Sequence, residues 1–487
     1  MLFHSARFFI FFTIVAAAYF SIPYRFRWLL LLCASYYFYM CWKPAYVILL
    51  LLSTLVVYYS SIQMGRTEIK SRRKKFLFLS LFFNLGLLFL FKYYNFFNDS
   101  FRTLFDEYNL FYGIPALKFL LPVGISFYTF KSLSYSIDVY RGNQAPEKHL
   151  GIFALYVAFF PQLLAGPIER ATHLLPQLHK AFSFDYQRVT EGAKLIFWGL
   201  FQKVVIADML GTLVDAVYDQ PTQYHGISLM TATIFFAFQI YCDFSGYSDI
   251  AIGAAQILGY RTVENFNRPY FSKSIAEFWR RWHISLSSWF RDYLYIPLGG
   301  NRVSIPRWYL NLLVVFLLCG LWHGANWTFV IWGGLHGCYL IVSNVTQTLR
   351  QKMILKVGLD RTPRLSKSLK VLTTFIFVCF AWIFFRSNSV SDALYIVSHL
   401  VTGWETVFNM ETLRGELSFG PSRFQWIVGM ASVGLLVFVQ MLQGKGPVID
   451  QLSKKPVWLR WSIYYGMILM FLFCGSFQSK EFIYFQF

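Results

Sequence analysis

Charged residues are scarce in this sequence. They make up 14% of the 487 residues, whereas 56% are hydrophobic and 21% aromatic, and the mean hydropathy is +0.46. This composition excludes an ordinary soluble domain. Apolar runs long enough to cross a hydrocarbon core of about 30 Å recur, without the strict alternation of an outer-membrane barrel. We therefore predict an all-α, polytopic transmembrane bundle of about 11 membrane-spanning helices plus re-entrant or short tilted helices.

Acidic residues are scarcer still, with 24 Asp and Glu against 44 Lys and Arg and a net charge of +20. In a soluble protein this balance would suggest nucleic acid. Here the basic residues gather in short connections between apolar runs, as the positive-inside rule and anionic lipid headgroups require. The predicted partner is the lipid bilayer, and no nucleic acid is expected.

The sequence also lacks the motifs of several enzyme classes. It has no GxSxG elbow, no P-loop and no HExxH, so hydrolase, NTPase and zinc-protease functions have no support. Its seven cysteines form no CxxC pair and no metal-ligand spacing. Asp243 and Asp249 in YCDFSGYSD could bind a cation, but no third ligand accompanies them. We predict no metal site.

The basic connections predict the orientation of the chain. The connection at 66–75 is strongly basic and is expected in the cytoplasm, and counting back three crossings places the N-terminus outside. The first apolar run, at 8–22, is interpreted as a retained helix because no soluble domain follows it. No repeat or appended soluble domain is visible, so residues 1–487 are predicted to form a single membrane domain.

Proline, glycine and charged residues interrupt the apolar sequence between residues 119 and 258, in LPVGISFY, FPQLLAGPIER and IYCDFSGYSDIAIG. A broken backbone at membrane depth is tolerated where it is buried in protein or lines a wet cavity. We infer re-entrant or short tilted helices around a cavity, with the charged groups facing it or pairing with one another. Lys203 and Asp208 could form such a pair for purely structural reasons.

A helical hairpin follows from two further basic connections, at 259–307 and 350–370, both predicted to be cytoplasmic. The segments 308–323 and 326–348 lie between them, so they must enter the membrane and return. His323 falls at or near the tip of this hairpin, well inside the membrane or toward its outer side.

Three histidines are candidates for chemistry. A neutral imidazole at His323, flanked by Trp322 and close to Asn326, could take a proton from a hydroxyl. Alternatively, it could be a structural histidine that donates a hydrogen bond to a carbonyl oxygen at a helix end. His336, in GGLHG, could equally be a packing residue.

His283, in RRWHISLS, lies beside arginines that could hold phosphate groups through bidentate hydrogen bonds. The alternative is a basic helix on anionic headgroups, anchored at the interface by Trp279, Trp282 and Trp289. From the residues alone, the protein is either an enzyme or a transporter.

At these same residues the chain resembles the membrane-bound O-acyltransferase family, specifically its bacterial, alginate O-acetyltransferase-like branch. The matching motifs are LPVGISFYTF, SIDVYRG, FFPQLLAGPIER, QIYCDFSGYSDIAIG, FNRPYFSKSIAEFWRRWHISLSSWFRDYLYIPLGGNR, GLWHGANWTFVIWGGLHG and the terminal FIYFQF. The resemblance implies a central tunnel through the membrane, with an acyl donor entering from the cytoplasm and an acceptor reaching the same histidine from the other side.

The resemblance also implies roles for individual residues. His323 and His283 are expected to be catalytic, His323 as the base and His283, or a donor such as Asn326, as the stabiliser of the oxyanion. The predicted substrate-binding residues are Arg280, Arg281, Arg291, Asp292, Trp322, Asn326, His336 and Asp243.

The implied function is transfer of an acetyl group from a cytoplasmic thioester donor, acetyl-CoA, for O-acetylation of an extracytoplasmic polysaccharide such as alginate. No permanently bound cofactor is expected. The implied location is the bacterial inner membrane, and an extracytoplasmic acetyltransferase is the expected protein partner, with the tail 482–487 as a candidate docking element. The alternatives are D-alanyl transfer to teichoic acid from a carrier protein, and an acyl-group transporter without covalent chemistry.

Overall fold

The computed structural model describes residues 1–164, 166–404, 422–446, 448–476 and 482–483. Within these ranges the regular structure is helical, without a β-strand, which confirms the predicted all-α class. The helices of the first half are α1 (Ala6–Ser21), α2 (Tyr24–Met40), α3 (Val47–Gly65), α4 (Lys70–Leu88), α5 (Tyr94–Glu107), α6 (Ile125–Arg141), α7 (Leu150–Ala158), α8 (Phe160–Leu163), α9 (Ala171–Leu178), α10 (Tyr186–Leu200), α11 (Asp208–Tyr218) and α12 (Gly226–Leu258).

The second half continues with shorter helices around the candidate site and then with long apolar ones. They are α13 (Ile275–Arg281), α14 (Ile284–Phe290), α15 (Ile305–His323), α16 (Trp327–Val345), α17 (Gln347–Lys356), α18 (Pro363–Arg386), α19 (Val390–His399), α20 (Arg423–Gln443), α21 (Val448–Ser453) and α22 (Val457–Cys474). Three π-helical segments adjoin these helices, at Phe89–Tyr93, Phe201–Ala207 and Arg291–Tyr295.

Eight helical segments of the described chain are long and apolar enough to cross a membrane. They are Pro44–Gly65, Lys70–Glu107, Gly226–Leu258, Ile305–His323, Trp327–Val345, Pro363–Arg386, Phe424–Gln443 and Val457–Cys474. The predicted number of about 11 is not confirmed. One reason is that the prediction counted the first two apolar runs, whose helices α1 and α2 have 16 and 17 residues, short of the typical length of about 20.

Short helices occupy part of the stretch in which the sequence predicted broken crossings. Helices α7, α8 and α9 have nine, four and eight residues. Gly124 precedes α6 with a φ of 78°, and a Cβ at this position would lie 2.8 Å from the carbonyl oxygen of Leu163. A side chain would be strained here on both counts. That these helices are re-entrant stays a prediction.

Contacts divide the chain into two compact units, each built from separate stretches of sequence. Unit 1 consists of Met1–Ile196, Ser248–Glu264 and Ser285–Leu298. Unit 2 consists of Phe197–Tyr247, Asn265–Ile284 and Gly299–Phe487. The single domain over residues 1–487, and the central tunnel, stay predictions.

The predicted hairpin is present in unit 2, where α15 and α16 are joined by three residues. Two glycines let the helices approach closely. A Cβ at Gly320 would lie 2.2 Å from the carbonyl oxygen of Phe329, and one at Gly333 would lie 2.2 Å from that of Phe316. Small residues at facing positions permit such backbone contact. The hairpin places His323 at its tip, as its last residue before the turn.

Candidate active site

His323 lies among aromatic rings in unit 2. It is the last residue of α15, and 3% of its surface is exposed. The centroid of its ring is 4.9 Å from that of Trp322, 4.9 Å from that of Trp332 and 5.4 Å from that of Phe385. This imidazole is therefore held in an apolar, aromatic environment at the hairpin tip, where water has little access.

A second histidine borders the same rings. His336 lies one helical turn after Trp332 on α16, with their centroids 5.0 Å apart. The indole Nε1–H of Trp279, on α13, donates a hydrogen bond of 3.2 Å to Nδ1 of His336. We call the rings of Phe278, Trp279, Trp322, Trp332, Trp382 and Phe385 the aromatic cluster. The contacts through Trp332 bring His323 and His336 to the same part of it.

His283 lies between α13 and α14 and is fully buried. Its φ of 43° is in the left-handed region, which costs energy for a non-glycine residue and is enriched at functional sites. Its Nδ1 is 3.1 Å from Oδ1 of Asn265, and its ring lies against Phe244 at 4.6 Å and Trp322 at 6.0 Å. Trp322 thus contacts both predicted catalytic histidines.

The hydrogen bond to Asn265 determines which nitrogen of His283 carries the proton. A carbonyl oxygen only accepts, so Nδ1 donates to it and Nε2 carries the lone pair. Among the described residues, Nε2 has no hydrogen-bond partner. Burial lowers the pKa of His283 to about 3, so the ring is neutral at physiological pH. It therefore offers a hydrogen-bond acceptor rather than a donor.

The tryptophans of RRWHISLSSW are not interfacial anchors. Trp282 is fully buried, and Trp279 and Trp289 are each 7% exposed. Within unit 1, Nε1–H of Trp289 donates to the carbonyl oxygen of Phe130, at 3.0 Å. The anchoring role of these tryptophans in the alternative interpretation was wrong, because composition alone cannot distinguish a ring packed against protein from one at a membrane interface.

The predicted arginines of unit 2 lie on α13. Arg281 forms an ion pair of 2.6 Å with Glu277, four residues earlier on the same helix. Arg280 is exposed, and its Nε donates to the carbonyl oxygen of Ala276 at 3.3 Å. No carboxylate of the described chain pairs with Arg280, so its terminal guanidinium nitrogens can reach an anionic ligand.

Arg291 and Asp292 belong to unit 1. They pair with one another at 2.8 Å, and Asp292 also accepts from Arg170 at 3.5 Å. The guanidinium of Arg170 lies 4.5 Å from the ring centroid of Tyr293. Asp292 is therefore part of a charged network within unit 1, and its predicted contact with substrate stays a prediction.

Asn326 is the N-cap of α16. Its Oδ1 accepts from the backbone N–H of Thr328 at 3.0 Å, and its Nδ2 donates to the carbonyl oxygen of Asn388 at 3.4 Å. Asparagine is among the preferred N-cap residues because its side chain satisfies a free N–H of the first helical turn. The capping bond fixes the turn that follows His323.

Asp243 is in a buried group of charges in unit 2, which we call the ion cluster: Lys203, Asp208 and Asp243. Nζ of Lys203 is 2.8 Å from Oδ1 of Asp208 and 2.6 Å from Oδ1 of Asp243, and all three residues are at most 3% exposed. Lys203 belongs to the π-helical segment Phe201–Ala207, a distortion that often occurs at functional positions. The predicted pair of Lys203 and Asp208 is confirmed, with Asp243 as a second carboxylate.

The first two residues of the tail are held against this region. Oδ2 of Asp243 accepts from the backbone N–H of Ile483 at 2.8 Å. Phe482 is fully buried, with its ring 4.4 Å from that of Tyr247 and 5.5 Å from that of Phe244. Residues 484–487 of the predicted docking element lie outside the described residues. The two that are described are packed inside unit 2 and do not form an exposed surface.

Sequence reasoning missed the residues that hold the histidines. Asn265, Trp332 and Phe385 were not candidates, although each touches a histidine. One signal was present for Trp332. It stands four residues before His336, which places both on one face of a helix. Nothing in the local sequence linked Asn265 or Phe385 to the site, because their contacts join separate segments of the chain.

Known proteins match most of this chain. The model of the membrane-bound O-acyltransferase family matches residues 148–387, a range that contains all three histidines. A Pseudomonas aeruginosa protein named probable alginate O-acetylase AlgI is 39% identical over 445 residues, which cover 90% of this chain and 82% of that protein.

Two further relatives carry other names. A peptidoglycan O-acetyltransferase of Helicobacter pylori is 35% identical over 400 residues, covering 77% of this chain and 73% of the relative. A teichoic acid D-alanyltransferase of Bacillus subtilis is 29% identical over 287 residues, covering 56% of this chain and 71% of the relative. The resemblance inferred from the motifs is confirmed. The chain belongs to the membrane-bound O-acyltransferase family and is a multi-pass membrane O-acyltransferase.

Proposed function

We propose that this protein transfers an acetyl group from a cytoplasmic thioester, acetyl-CoA, for the O-acetylation of an extracytoplasmic polysaccharide such as alginate. The observation that carries the proposal is the buried imidazole of His323 at the hairpin tip, inside the matched family segment. The two relatives described above as O-acetylase and O-acetyltransferase cover 90% and 77% of this chain, at 39% and 35% identity. The D-alanyltransferase of Bacillus subtilis covers 56% of this chain at 29% identity. This difference favours acetyl over D-alanyl transfer.

His323 is the proposed base. The hydroxyl oxygen of the acceptor attacks the carbonyl carbon of the thioester while an imidazole nitrogen of His323 takes the hydroxyl proton. The carbon–sulfur bond then breaks, and the leaving thiolate takes the proton back from the imidazolium. A general base of this kind contributes about 100-fold to 10,000-fold to the rate. The aromatic cluster excludes water, which protects the thioester from hydrolysis.

His283 is the second proposed catalytic residue, in a role different from the one expected from the sequence. Its neutral ring presents a lone pair at Nε2, so it suits acceptance of a hydrogen bond from a second hydroxyl of the acceptor, next to the attacking one, rather than stabilisation of an oxyanion. Asn265 holds this tautomer, as the orienting partner of a catalytic histidine generally does.

The acyl donor is proposed to be bound through its phosphates at the basic surface of α13. Arg280 is exposed there, whereas Arg281 already pairs with Glu277. An arginine fork matches phosphate geometry. Acetyl-CoA acts as a substrate, and no resident cofactor is proposed. The proposed location is the bacterial inner membrane with the N-terminus outside, and the proposed partner is an extracytoplasmic acetyltransferase that passes the acetyl group to the polysaccharide.

The test is acetyl transfer by the purified, detergent-solubilised protein with radiolabelled acetyl-CoA. Wild type should release free coenzyme A and, with the partner protein present, label an added polysaccharide. His323→Ala should lose at least about 100-fold of this rate. His179→Ala, at an exposed histidine, is the matched control and should retain it.

Three results would contradict the proposal. Turnover of a D-alanyl carrier protein in place of acetyl-CoA would favour the D-alanyl alternative. Movement of an acyl group across proteoliposomes with His323→Ala as active as wild type would favour a transporter. Full acetyl transfer by His323→Ala would remove His323 from the mechanism.

A further inference from the structure

Two N–H groups of α16 are buried without a hydrogen-bond partner among the described residues. They are Nε1 of Trp332 and Nε2 of His336, and both residues are fully buried. Buried polar groups are nearly always satisfied, so each exception calls for an explanation. The two residues are four positions apart and share one face of the helix. A pair of free donors on one face suits an oxygen that carries negative charge.

The hydrogen bond from Trp279 makes Nε2 of His336 a donor. Because the indole N–H can only donate, Nδ1 of His336 must accept, and the proton of the neutral ring is on Nε2. His283 has the opposite arrangement, since its Nδ1 donates to Asn265. The two histidines are therefore fixed in opposite tautomers, one as an acceptor and one as a donor.

The donor pair lies beside the proposed base. The ring of Trp332 is edge-on to that of His323 at 4.9 Å and packs against His336 at 5.0 Å. The alternative donors named from the sequence suit this role less well. His283 presents a lone pair, and Asn326 caps α16 with its oxygen and bonds Asn388 with its amide nitrogen.

We propose that Nε2–H of His336 and Nε1–H of Trp332 bind the carbonyl oxygen of the thioester and stabilise its oxyanion, with Trp279 as the positioning residue that fixes the tautomer of His336. The inference rests on the proposed function. When the acceptor oxygen bonds to the carbonyl carbon, the π electrons move onto the carbonyl oxygen, which both donors then hold. The C=O bond re-forms as the carbon–sulfur bond breaks and the thiolate leaves.

Substitutions of His336 test the donor role. His336→Leu should lower kcat by about 100-fold with KM nearly unchanged, because one oxyanion donor typically contributes that much. His336→Gln, which keeps an N–H donor, should restore most of this loss. If His336→Leu keeps the wild-type kcat, or if Gln rescues no better than Leu at equal thermal stability, the donor role is wrong.

Trp279→Phe tests the positioning role. It removes the N–H that holds His336, and kcat should fall about fivefold, the typical effect of one hydrogen bond. Trp289→Phe is the matched control, since it removes an indole N–H bonded to a backbone carbonyl in unit 1, and its kcat should equal that of wild type. Equal kcat values for the two variants would overturn the role of Trp279.

The tautomer of His336 can be measured directly, without an activity assay. In protein labelled with ¹⁵N-histidine, magic-angle-spinning NMR should show His336, identified by its loss in His336→Gln, with a proton on Nε2 and a hydrogen-bonded, unprotonated Nδ1. In Trp279→Phe the Nδ1 signal should move to that of a nitrogen without a donor. A proton on Nδ1 in wild type would overturn the inference. Failure of wild type to use acetyl-CoA would instead contradict the proposed function, and it would not change the tautomer that NMR measures for His336.

Discussion

The ion cluster and the aromatic cluster both contain polar groups buried in unit 2. They differ in how far these groups are paired with partners. In the ion cluster the charged groups are paired, since Lys203 contacts both Asp208 and Asp243 and the tail adds an N–H. At the aromatic cluster, the indole of Trp332 and the imidazole of the adjacent His336 each have an N–H donor without a partner among the described residues.

This difference is the one that we expect between a structural centre and a chemical one. A buried charge is tolerated when it is paired and hydrogen-bonded. Neutral rings with free nitrogens are costly to bury and are retained where a substrate completes them. Both carboxylate oxygens of Asp243 already have partners, Lys203 and the backbone N–H of Ile483. The predicted contact of Asp243 with substrate therefore has less support than a structural role.

The largest expected effect on stability comes from breaking the ion cluster. Lys203→Met leaves two carboxylates buried together and should cost about 3–5 kcal/mol of folding free energy. Thermal unfolding in detergent, followed by intrinsic fluorescence, measures the loss. Lys194→Met, which removes an exposed lysine of α10, should unfold at the wild-type temperature. Equal melting temperatures for the two variants would mean that the charges of the ion cluster are not coupled.

The next effect concerns the hairpin that presents His323. Gly320→Ala places a Cβ 2.2 Å from the carbonyl oxygen of Phe329, so α15 and α16 must separate, at a cost of about 1–3 kcal/mol. Gly334→Ala is the control, because its Cβ would meet Leu317 at an ordinary 3.5 Å. The melting temperature should fall in the first variant alone. A fall of the same size in both would show that close packing of the hairpin is not the cause.

The neutral state of His283 predicts how stability depends on pH. In the unfolded chain this histidine binds a proton below about pH 6.5, whereas its folded pKa is about 3 because of burial. Protons therefore favour the unfolded chain as the pH falls from about 6.5 toward 3. Between pH 7 and 5 the folded state should lose about 2 kcal/mol through this group.

His283→Gln isolates that contribution. The variant should lose less stability than wild type when melting curves at pH 7 and pH 5 are compared, because its amide does not titrate. The groups around the ring, Asn265, Phe244 and Trp322, are uncharged and do not titrate in this range. An identical pH dependence in both proteins would show that His283 is not buried in its neutral form.

The smallest effect is expected at the turn after His323. Asn326→Ala removes the N-cap of α16 and should cost about 1 kcal/mol, while Asn326→Asp keeps a capping oxygen and should cost less. Both are measured as shifts in melting temperature. If the two variants lost equal stability, the cap would not be the source of the effect.

Local patterns were enough to predict the elements that present the site. Charge bias on either side of 308–348 predicted the hairpin and placed His323 at its tip, and the structure confirms both. The pairing of Lys203 with Asp208 was also within reach, since the two are five residues apart. These predictions succeeded because each depends on residues close together in the sequence.

The remaining features depend on contacts between distant segments. Asp243 meets Lys203 and Ile483, and the tautomers of His283 and His336 depend on Asn265 and Trp279, which sequence spacing does not bring together. Whether a tryptophan such as Trp282 faces lipid or protein is likewise decided by tertiary packing. The predicted number of about 11 spanning helices stays unconfirmed, because apolar runs were counted without the helix lengths that the chain adopts, and eight segments of the described chain are long and apolar enough to span.

We infer that the histidines beside the aromatic cluster perform the chemistry and that the ion cluster maintains the fold. The most direct test measures acetyl transfer and melting temperature together for His323→Gln and Asp243→Asn. His323→Gln should melt within a few degrees of wild type and lose at least about 100-fold in kcat. Asp243→Asn should melt well below wild type and, below its melting temperature, keep most of its kcat. The opposite pattern, with His323→Gln active but unstable and Asp243→Asn stable but inactive, would place the chemistry at the ion cluster and contradict the role of His323.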